Sequence, residues 1–421
     1  MKTLQSLALA SLWNRRLSVA LTVLSLVISV TLLLGVEQLR QQAQASFTRT
    51  IAGTDLIVGA RASPIQLLLY SVFHIGGATN EVTWEIYRAI AGHEQIAWTV
   101  PLALGDSHRG FRVIGTERSF FEHYRYGLDR PLRFQTGRAF ADVYEAVVGA
   151  RVARDLGYAS GASIVVSHGL SRHALQDHGD KPFTVVGLLE PTGTPLDRSV
   201  LISLAGIEAI HLDWREGRPP TPGERISADA ARAADLTPAT ITAFLVGLQS
   251  RFATFEVQRM INNHPREPLT AILPGVALGQ LWQVVGTVET VLLAISAMVV
   301  LAGLLGMVTA LLTSLNERRR EMAILRAVGA RPRFIFGLFV LEGGVIGVSA
   351  SLIGLLLVQA LVLLAQAPIA AWLGVYLTPA VPGQTEWLLL GLVVLATLLA
   401  SLLPAWRAYR QSLADGLNVH M

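Results

Sequence analysis

Four stretches of this chain are apolar for long enough to cross a bilayer. Between the first and the second, short apolar runs alternate with polar ones over more than two hundred residues. Residues 17–36 carry no charge and reach about 30 Å as a helix, the thickness of the hydrocarbon layer. Residues 290–315 are also free of charge, and 334–365 are interrupted only by Glu342. A fourth run, 388–405, lies between Trp387 and Trp406, aromatic residues suited to the two interfaces. The pattern predicts an α-helical membrane protein with four transmembrane helices, one before and three after a large α+β domain inserted between helices 1 and 2. Its boundaries are an N-terminus at 1–16, spans at 17–36, 284–315, 334–365 and 388–406, the inserted domain at 37–283, loops at 316–333 and 366–387, and a tail at 407–421. Ala43, Gln44 and Ala45 would suit signal-peptide cleavage, but the leader and apolar run are long for that and the small residues lie well beyond the run; a retained anchor is expected.

Within 37–283, strand-like runs fall at 55–58, 96–103, 111–114, 146–148, 163–166, 183–188 and 199–202. Helical runs fall at 82–91, 150–156, 204–210 and 251–261, and the mixture gives the α+β reading. A stretch rich in Pro, Arg and Gly, 215–238, reads as a linker between two lobes. Residues 63–77 are distinctive. Ser63 and Pro64 open a helix, Gly76 and Gly77 close it, and Leu68, Leu69 and Phe73 sit on its apolar face. Gln66, Tyr70 and His74, four apart, form a polar stripe. The plain expectation is a helix packed on the domain core; the sharper one is a working face for an apolar cargo or a partner subunit.

Composition bears this out: 52% of the 421 residues are hydrophobic and only 15% are charged, well under the quarter usual in soluble domains. Arginines fix the expected orientation. Lys2, Arg15 and Arg16 precede the first span, Arg318, Arg319, Arg320, Arg326, Arg331 and Arg333 lie between the second and third, and Arg407 and Arg410 follow the fourth. Against these eleven stand only Glu317, Glu321 and Asp415, so both termini and this loop are expected in the cytoplasm and 37–283 outside. The outer segment is nearly neutral, with 23 basic and 24 acidic residues, which argues against nucleic acid as a partner.

Candidate chemistry is sparse. There is no cysteine, and the two lysines, Lys2 and Lys181, lie outside any P-loop, so ATP hydrolysis is not expected of this chain. His168, His173 and His178 share a short segment with Asp177 and Asp180, where a surface metal site is conceivable, but the spacing does not align them on one helix face and none is assigned. His93-Glu94 lacks the second histidine of a zinc-protease motif, and no nucleophile elbow survives at 105–110 or 169–173. No catalytic, cofactor or metal residue is therefore assigned. Glu342, inside the third span, should face protein or water, while Glu289 suits an interface.

The loop between spans two and three is the most informative run. Glu317, Arg318, Arg320, Glu321 and Arg326 supply its charge, Met322, Leu325 and Val328 an apolar ridge, and Gly329 with Pro332 its end. Arginines snorkelling at the inner leaflet explain the charge. The ridge wants a groove in another protein. At this point the residues resemble the FtsX-like permease family, which includes MacB and the lipoprotein-releasing LolC and LolE subunits of ABC systems. The resemblance rests on REMAILRAVGA at 320–330, FVLEGG at 339–344 and LPAWRAYR at 403–410. In the outer domain it rests on AVVG at 146–149, RVARDL at 151–156 and FTVVG at 183–187. Met322 departs from the residues usual at its position, and 215–238 has no counterpart. The resemblance implies a homodimer of permeases in a bacterial inner membrane, working with a cytoplasmic ATPase that holds the ATP and Mg, and the loop helix would be the coupling helix. It further implies a MacB-type exporter, with a LolC/LolE-type lipoprotein release or an FtsX-type transmission of signal to a periplasmic hydrolase as alternatives, and an adaptor or lipoprotein as a possible periplasmic partner.

Overall fold

The computed structural model describes residues 13, 15–48, 50–168, 179–214, 225–317, 319–373 and 381–410. These fall into two compact units, one built on Ala43–Val284 and one on the residues before it together with most of those from Val285 onward.

Helix α1, Arg16–Thr48, leads into the outer unit, which is organised on one eleven-stranded mixed sheet. Its strands in chain order are β1 Leu56–Ala60, β2 Ile96–His108, β3 Phe111–Thr116, β4 Phe134–Gly137, β5 Glu145–Val148 and β6 Ser163–Ile164. They continue with β7 Ser167–His168, β8 Phe183–Leu189, β9 Ser199–Ser203, β10 Ala243–Leu248 and β11 Leu269–Ile272. The spatial order is β11-β1-β10-β2-β3-β9-β5-β8-β4, with β7 added to β2 and β6 to β8. Two pairs, β3 with β9 and β5 with β8, are parallel, and the others are antiparallel.

Side chains alternate across a strand, so each strand feeds two cores. Ile57, Leu102, Ile114, Val147, Leu201 and Leu245 line one face and join a single cluster. Their neighbours point the other way: Leu56, Val58, Phe244 and Val246 into a second cluster, Ala146, Val148, Val200 and Ile202 into a third. Burial on both faces explains why β1 is apolar throughout. Helices α2 Pro64–Ser71 and α4 Ser119–His123 cover the first face. On the second, α3 Trp84–Ala91 and α8 Thr254–Asn262 cover one end, and α5 Ala150–Leu156, α6 Leu204–His211 and α7 Ala228–Arg232 the other.

The division into lobes expected at 215–238 is corrected. Residues 215–224 lie outside those described, but Ile226, Ala228, Ala231 and Leu236 pack into the third cluster. Strand β10, beyond this stretch, pairs with β1 and β2 in the middle of the sheet, so one sheet holds both sides together.

The second unit contains α1 and four further helices, α9 Pro274–Glu317, α10 Arg319–Ala327, α11 Pro332–Leu373 and α12 Gln384–Arg410. Helices α1, α9, α11 and α12 are each long and apolar enough to cross a membrane. Helix α9 begins ten residues before the expected start of its span and α11 runs eight past the expected end. Hydropathy marks the stretch that needs lipid, whereas a helix continues until something stops it. On α1, Leu17, Leu21, Leu24 and Ile28 are exposed, while Leu26, Val27, Val30 and Leu34 are buried among the other helices.

Small residues let these helices approach. A Cβ at Gly343 would sit 2.5 Å from Cβ of Ser401, and one at Gly347 would collide with Thr397. This four-residue spacing lays a groove on α11 into which α12 fits. The hydroxyls in such contacts bond to helix carbonyls: Thr397 to Val394 at 2.8 Å, Ser401 to Leu398 at 2.7 Å, and Ser29 to both Ser25 and Val299 at 2.9 and 3.1 Å. No water reaches the bilayer core, so hydroxyls such as these gain by finding a partner inside the protein.

Candidate functional site

Helix α10 is a short segment held between two long apolar helices, and its attachments set what it can transmit. Met322 is buried among Met307, Leu311, Leu315, Phe339 and Ala405, at the junction of α9, α11 and α12, and Ala323 beside it is buried too. Met322 is only 6% exposed. Arg326 donates from Nη2 to the carbonyl of Tyr409 at 3.0 Å, fastening the helix to the end of α12. Gly329, at φ +99°, lets the chain turn back into α11, a conformation in which a Cβ is strained.

This arrangement corrects the expected ridge. Met322 faces inward, because an apolar side chain at the end of a bundle gains more by closing the core than by standing in water. Among the described residues of this run, the exposed large apolar ones are Ile324, 53% exposed, and Val328, 84% exposed. Ile324 is on α10 and Val328 directly follows its end, where the Val328 N–H still donates to the Ile324 carbonyl at 3.0 Å and keeps the two on one side. The side chains of Glu317, Arg318, Arg320, Glu321 and Leu325 lie outside the described residues.

Glu342 is fully buried on α11 and takes an ion pair from Arg15 Nη2 at 3.4 Å. A lone carboxylate there would carry a desolvation cost of several kcal/mol, and Arg15 supplies the opposite charge. The sequence placed Glu342 against protein or water; only packing identified an arginine 327 residues earlier. On α1, Glu37 is paired with Arg40 at 2.6 Å and accepts from Gln41 at 2.6 Å. Glu289 is half-buried on α9.

In the outer unit the distinctive helix is shorter than expected. Ser63 caps α2 by accepting from the Gln66 N–H, and the helix ends at Ser71, with Val72 as its C-cap. Leu68, Tyr70 and Phe73 are buried in the first core cluster, and Leu69 packs against it. A Cβ at Gly59 would meet Leu67 and Tyr70 at 2.7 Å, so this glycine lets α2 lie directly on β1. The face proposed as a working surface is thus core, and the polar stripe is corrected. Gln66 is half-buried, Tyr70 is inside, and burial raises its phenol to about 12. His74 lies beyond the helix at φ +55°. Its carbonyl accepts from Arg112 Nε at 3.2 Å, and burial first, then the Arg112 charge, push its imidazole down to about 3.

Two charged groups that sequence reading passed over stabilise the outer unit. Lys181 donates to Asp213 at 2.8 Å with both side chains 1% exposed. Burial pushes the Asp213 carboxyl up, but the Lys181 ammonium and the Ile226 N–H outweigh it and hold the group below its ordinary value. Glu145, accepting from Arg138 and from the N–H groups of Ala141 and Asp142, is held down at about 2, the Arg138 hydrogen bonds outweighing desolvation. A lysine in so arginine-rich a chain was the one available signal. Of the three histidines near 168–178, His173 and His178, with Asp177, lie outside the described residues; His168 ends β7.

Residues 19–243 match the MacB-like periplasmic core domain, and residues 293–413 match the FtsX-like permease C-terminal domain. An uncharacterized ABC transporter permease of Methanocaldococcus jannaschii is 32% identical over 74 residues. That stretch covers 18% of either protein, so the chain spans less than a fifth of this relative's length. Among solved structures, the periplasmic region of MacB from Actinobacillus actinomycetemcomitans overlays on 55% of this chain and 94% of its own, at 10% identity and a TM-score of 0.32. The extracellular domain of the noncanonic ABC-type transporter YknZ from Gram-positive bacteria overlays on 52% and 99%, at 13% identity and a TM-score of 0.30.

Proposed function

Because this chain belongs to the FtsX-like permease family of ABC transporters and carries the MacB-like periplasmic core domain, we propose that it is the membrane subunit of a MacB-type exporter. A separate cytoplasmic ATPase, the partner the family implies, holds ATP and Mg and docks on α10. The observation that supports this reading is the two-sided character of α10. One side is built into the bundle through Met322, Ala323 and the Arg326–Tyr409 bond, while Ile324 and Val328 stand exposed. An apolar face of that kind suits a groove in a partner, and its rigid attachment carries a push from that partner into α9, α11 and α12. The chain works as a homodimer in a bacterial inner membrane, with both termini and α10 in the cytoplasm and the sheet domain outside.

The docking test compares Ile324→Asp with Met322→Ala in the complex with its ATPase. A carboxylate buried unpaired at the contact costs several kcal/mol. Ile324→Asp is expected to insert and melt normally while losing the ATPase on purification and losing transport. Retention of both would overturn the docking assignment. Orientation is tested by alkaline phosphatase fusions, which should be active after Asp197 and inactive after Arg326; the reverse pattern would overturn it.

A further inference from the structure

The outer unit holds a three-residue cluster that the family reading does not use. Asp106 lies near the end of β2 and His168 on β7, and the antiparallel register sets them directly opposite each other. Directly paired positions bring Cβ atoms to about 5 Å on one face of a sheet, so both side chains meet. His168 Nδ1 lies 3.1 Å from Asp106 Oδ1. His211, the last residue of α6, brings Nε2 to 3.7 Å from the same oxygen. One ligand atom from each of the three falls within 4.8 Å of the others.

We propose that Asp106, His168 and His211 bind a divalent transition ion, zinc by preference. Two imidazole nitrogens and one carboxylate are the donor set of zinc sites that keep a fourth position for water, whereas calcium and magnesium take oxygen ligands. The tautomer of His211 is already set for this. Its Nδ1 bonds the carbonyl of Ile207 at 2.9 Å, and a carbonyl only accepts, so the proton sits on Nδ1 and Nε2 carries the lone pair of the neutral ring. A backbone carbonyl on the far nitrogen is the usual way a ligand histidine is oriented. The helix C-terminus at His211 also favours a cation.

Supporting residues hold the frame. His108, two residues beyond Asp106, is buried and bonded at both ring nitrogens, to the carbonyl of Val165 at 2.6 Å and the hydroxyl of Tyr158 at 2.7 Å. Asp213, two residues beyond His211, is fixed by Lys181. Trp214 packs beside both ligand rings, tilted to His168 with centroids at 5.7 Å and edge-on to His211 at 6.1 Å. Asp106 is 4% exposed, His211 27% and His168 50%, so the carboxylate is protected while an ion enters from the His168 side. Bound there, zinc ties β2 and β7 to the end of α6.

The test uses the full chain in detergent micelles, purified without a histidine tag and stripped with chelator. Zinc, calcium and magnesium are titrated by calorimetry, and melting is followed in parallel. One zinc per chain is expected, with a melting temperature that rises with zinc and not with calcium or magnesium. Loss of a supporting residue alone weakens metal sites about 10–100-fold, so His168→Gln, His211→Gln and Asp106→Asn should each weaken zinc by about 100-fold or more. His168→Gln, at the most exposed ligand, is the variant that tests binding without threatening the fold. Failure of the wild-type chain to bind zinc would overturn the proposal. So would wild-type affinity in His168→Gln, or loss of the site in a His173→Gln, His178→Gln double variant that keeps all three proposed ligands.

Discussion

The two units of this protein solve the same problem, burying polar groups, with different chemistry. In the sheet domain, strands and helices enclose large apolar side chains on both faces and a buried ion pair between Lys181 and Asp213, as the membrane unit encloses one between Arg15 and Glu342. In the membrane unit, Gly343 and Gly347 fit against Ser401 and Thr397, and hydroxyls bond to carbonyls of helices. The difference follows from the solvent. Water drives Phe73, Phe120 and Phe121 together in the outer domain, whereas lipid tails are as apolar as leucine and offer no such drive. What remains in lipid is close packing and the pairing of donors such as Ser29, Thr397 and Ser401. Both units enclose large apolar side chains, but in the membrane unit small residues set how closely α11 and α12 approach.

That contrast predicts how each unit breaks. The largest effects belong to the outer domain. Lys181→Met removes one partner of a buried pair and leaves Asp213 uncompensated, so a loss of about 3–5 kcal/mol is expected. Phe73→Ser opens a cavity in the first cluster at a similar cost, of about 3–5 kcal/mol. Both should deplete the folded protein in expression and melting assays. A normal level and melting temperature for Phe73→Ser would return α2 to a contact role.

In the membrane unit the damaging change is an increase in size. Gly347→Val forces α11 away from Thr397 on α12, and overpacking of this kind costs about 1–3 kcal/mol. Thr397→Ala in the same chain should recover part of that loss. Melting in detergent reads both variants, and an unchanged melting temperature for Gly347→Val would show that the contact does not hold the helices.

Acid should act on the outer domain through His74. Its imidazole is pushed down to about 3 from an ordinary 6.5, so between those values the unfolded chain takes up a proton that the folded one refuses. The contribution is complete above pH 6.5 and is lost as pH falls toward 3. His74→Gln should flatten the fall in melting temperature across the upper part of this window, where carboxylates do not yet titrate. The smallest effect belongs to Glu145, held at about 2 mainly by an Arg138 that is itself exposed. Its contribution is present above the ordinary 4.5 and lost as pH falls from there to 2. An exposed pair is worth about 1 kcal/mol or less, so Glu145→Gln should lower the melting temperature by only a few degrees.

By itself the sequence determined the parts that local pattern encodes. Four spans, the inserted domain, most of its strands and helices, and the family motifs at 320–330 and 339–344 were all legible, because a span, a strand or a helix carries its own hydrophobic period over a few turns. What pattern leaves open is which surface an apolar face meets. The α2 face read first as core and more sharply as contact, and β1, brought beneath it with Gly59, decided for core. On α10, Met322 and Val328 belong to one apolar pattern, yet the junction of three long helices takes the first inside and leaves the second in solvent. Strand β10 follows a stretch that reads as a linker, but its register with β1 and β2 sets it in the middle of the sheet. Some polar partners lie far apart in sequence: Arg15 with Glu342, and Asp106 with His168 and His211. No local period records such partners, because strand register and helix contact bring them together only when the whole chain is folded.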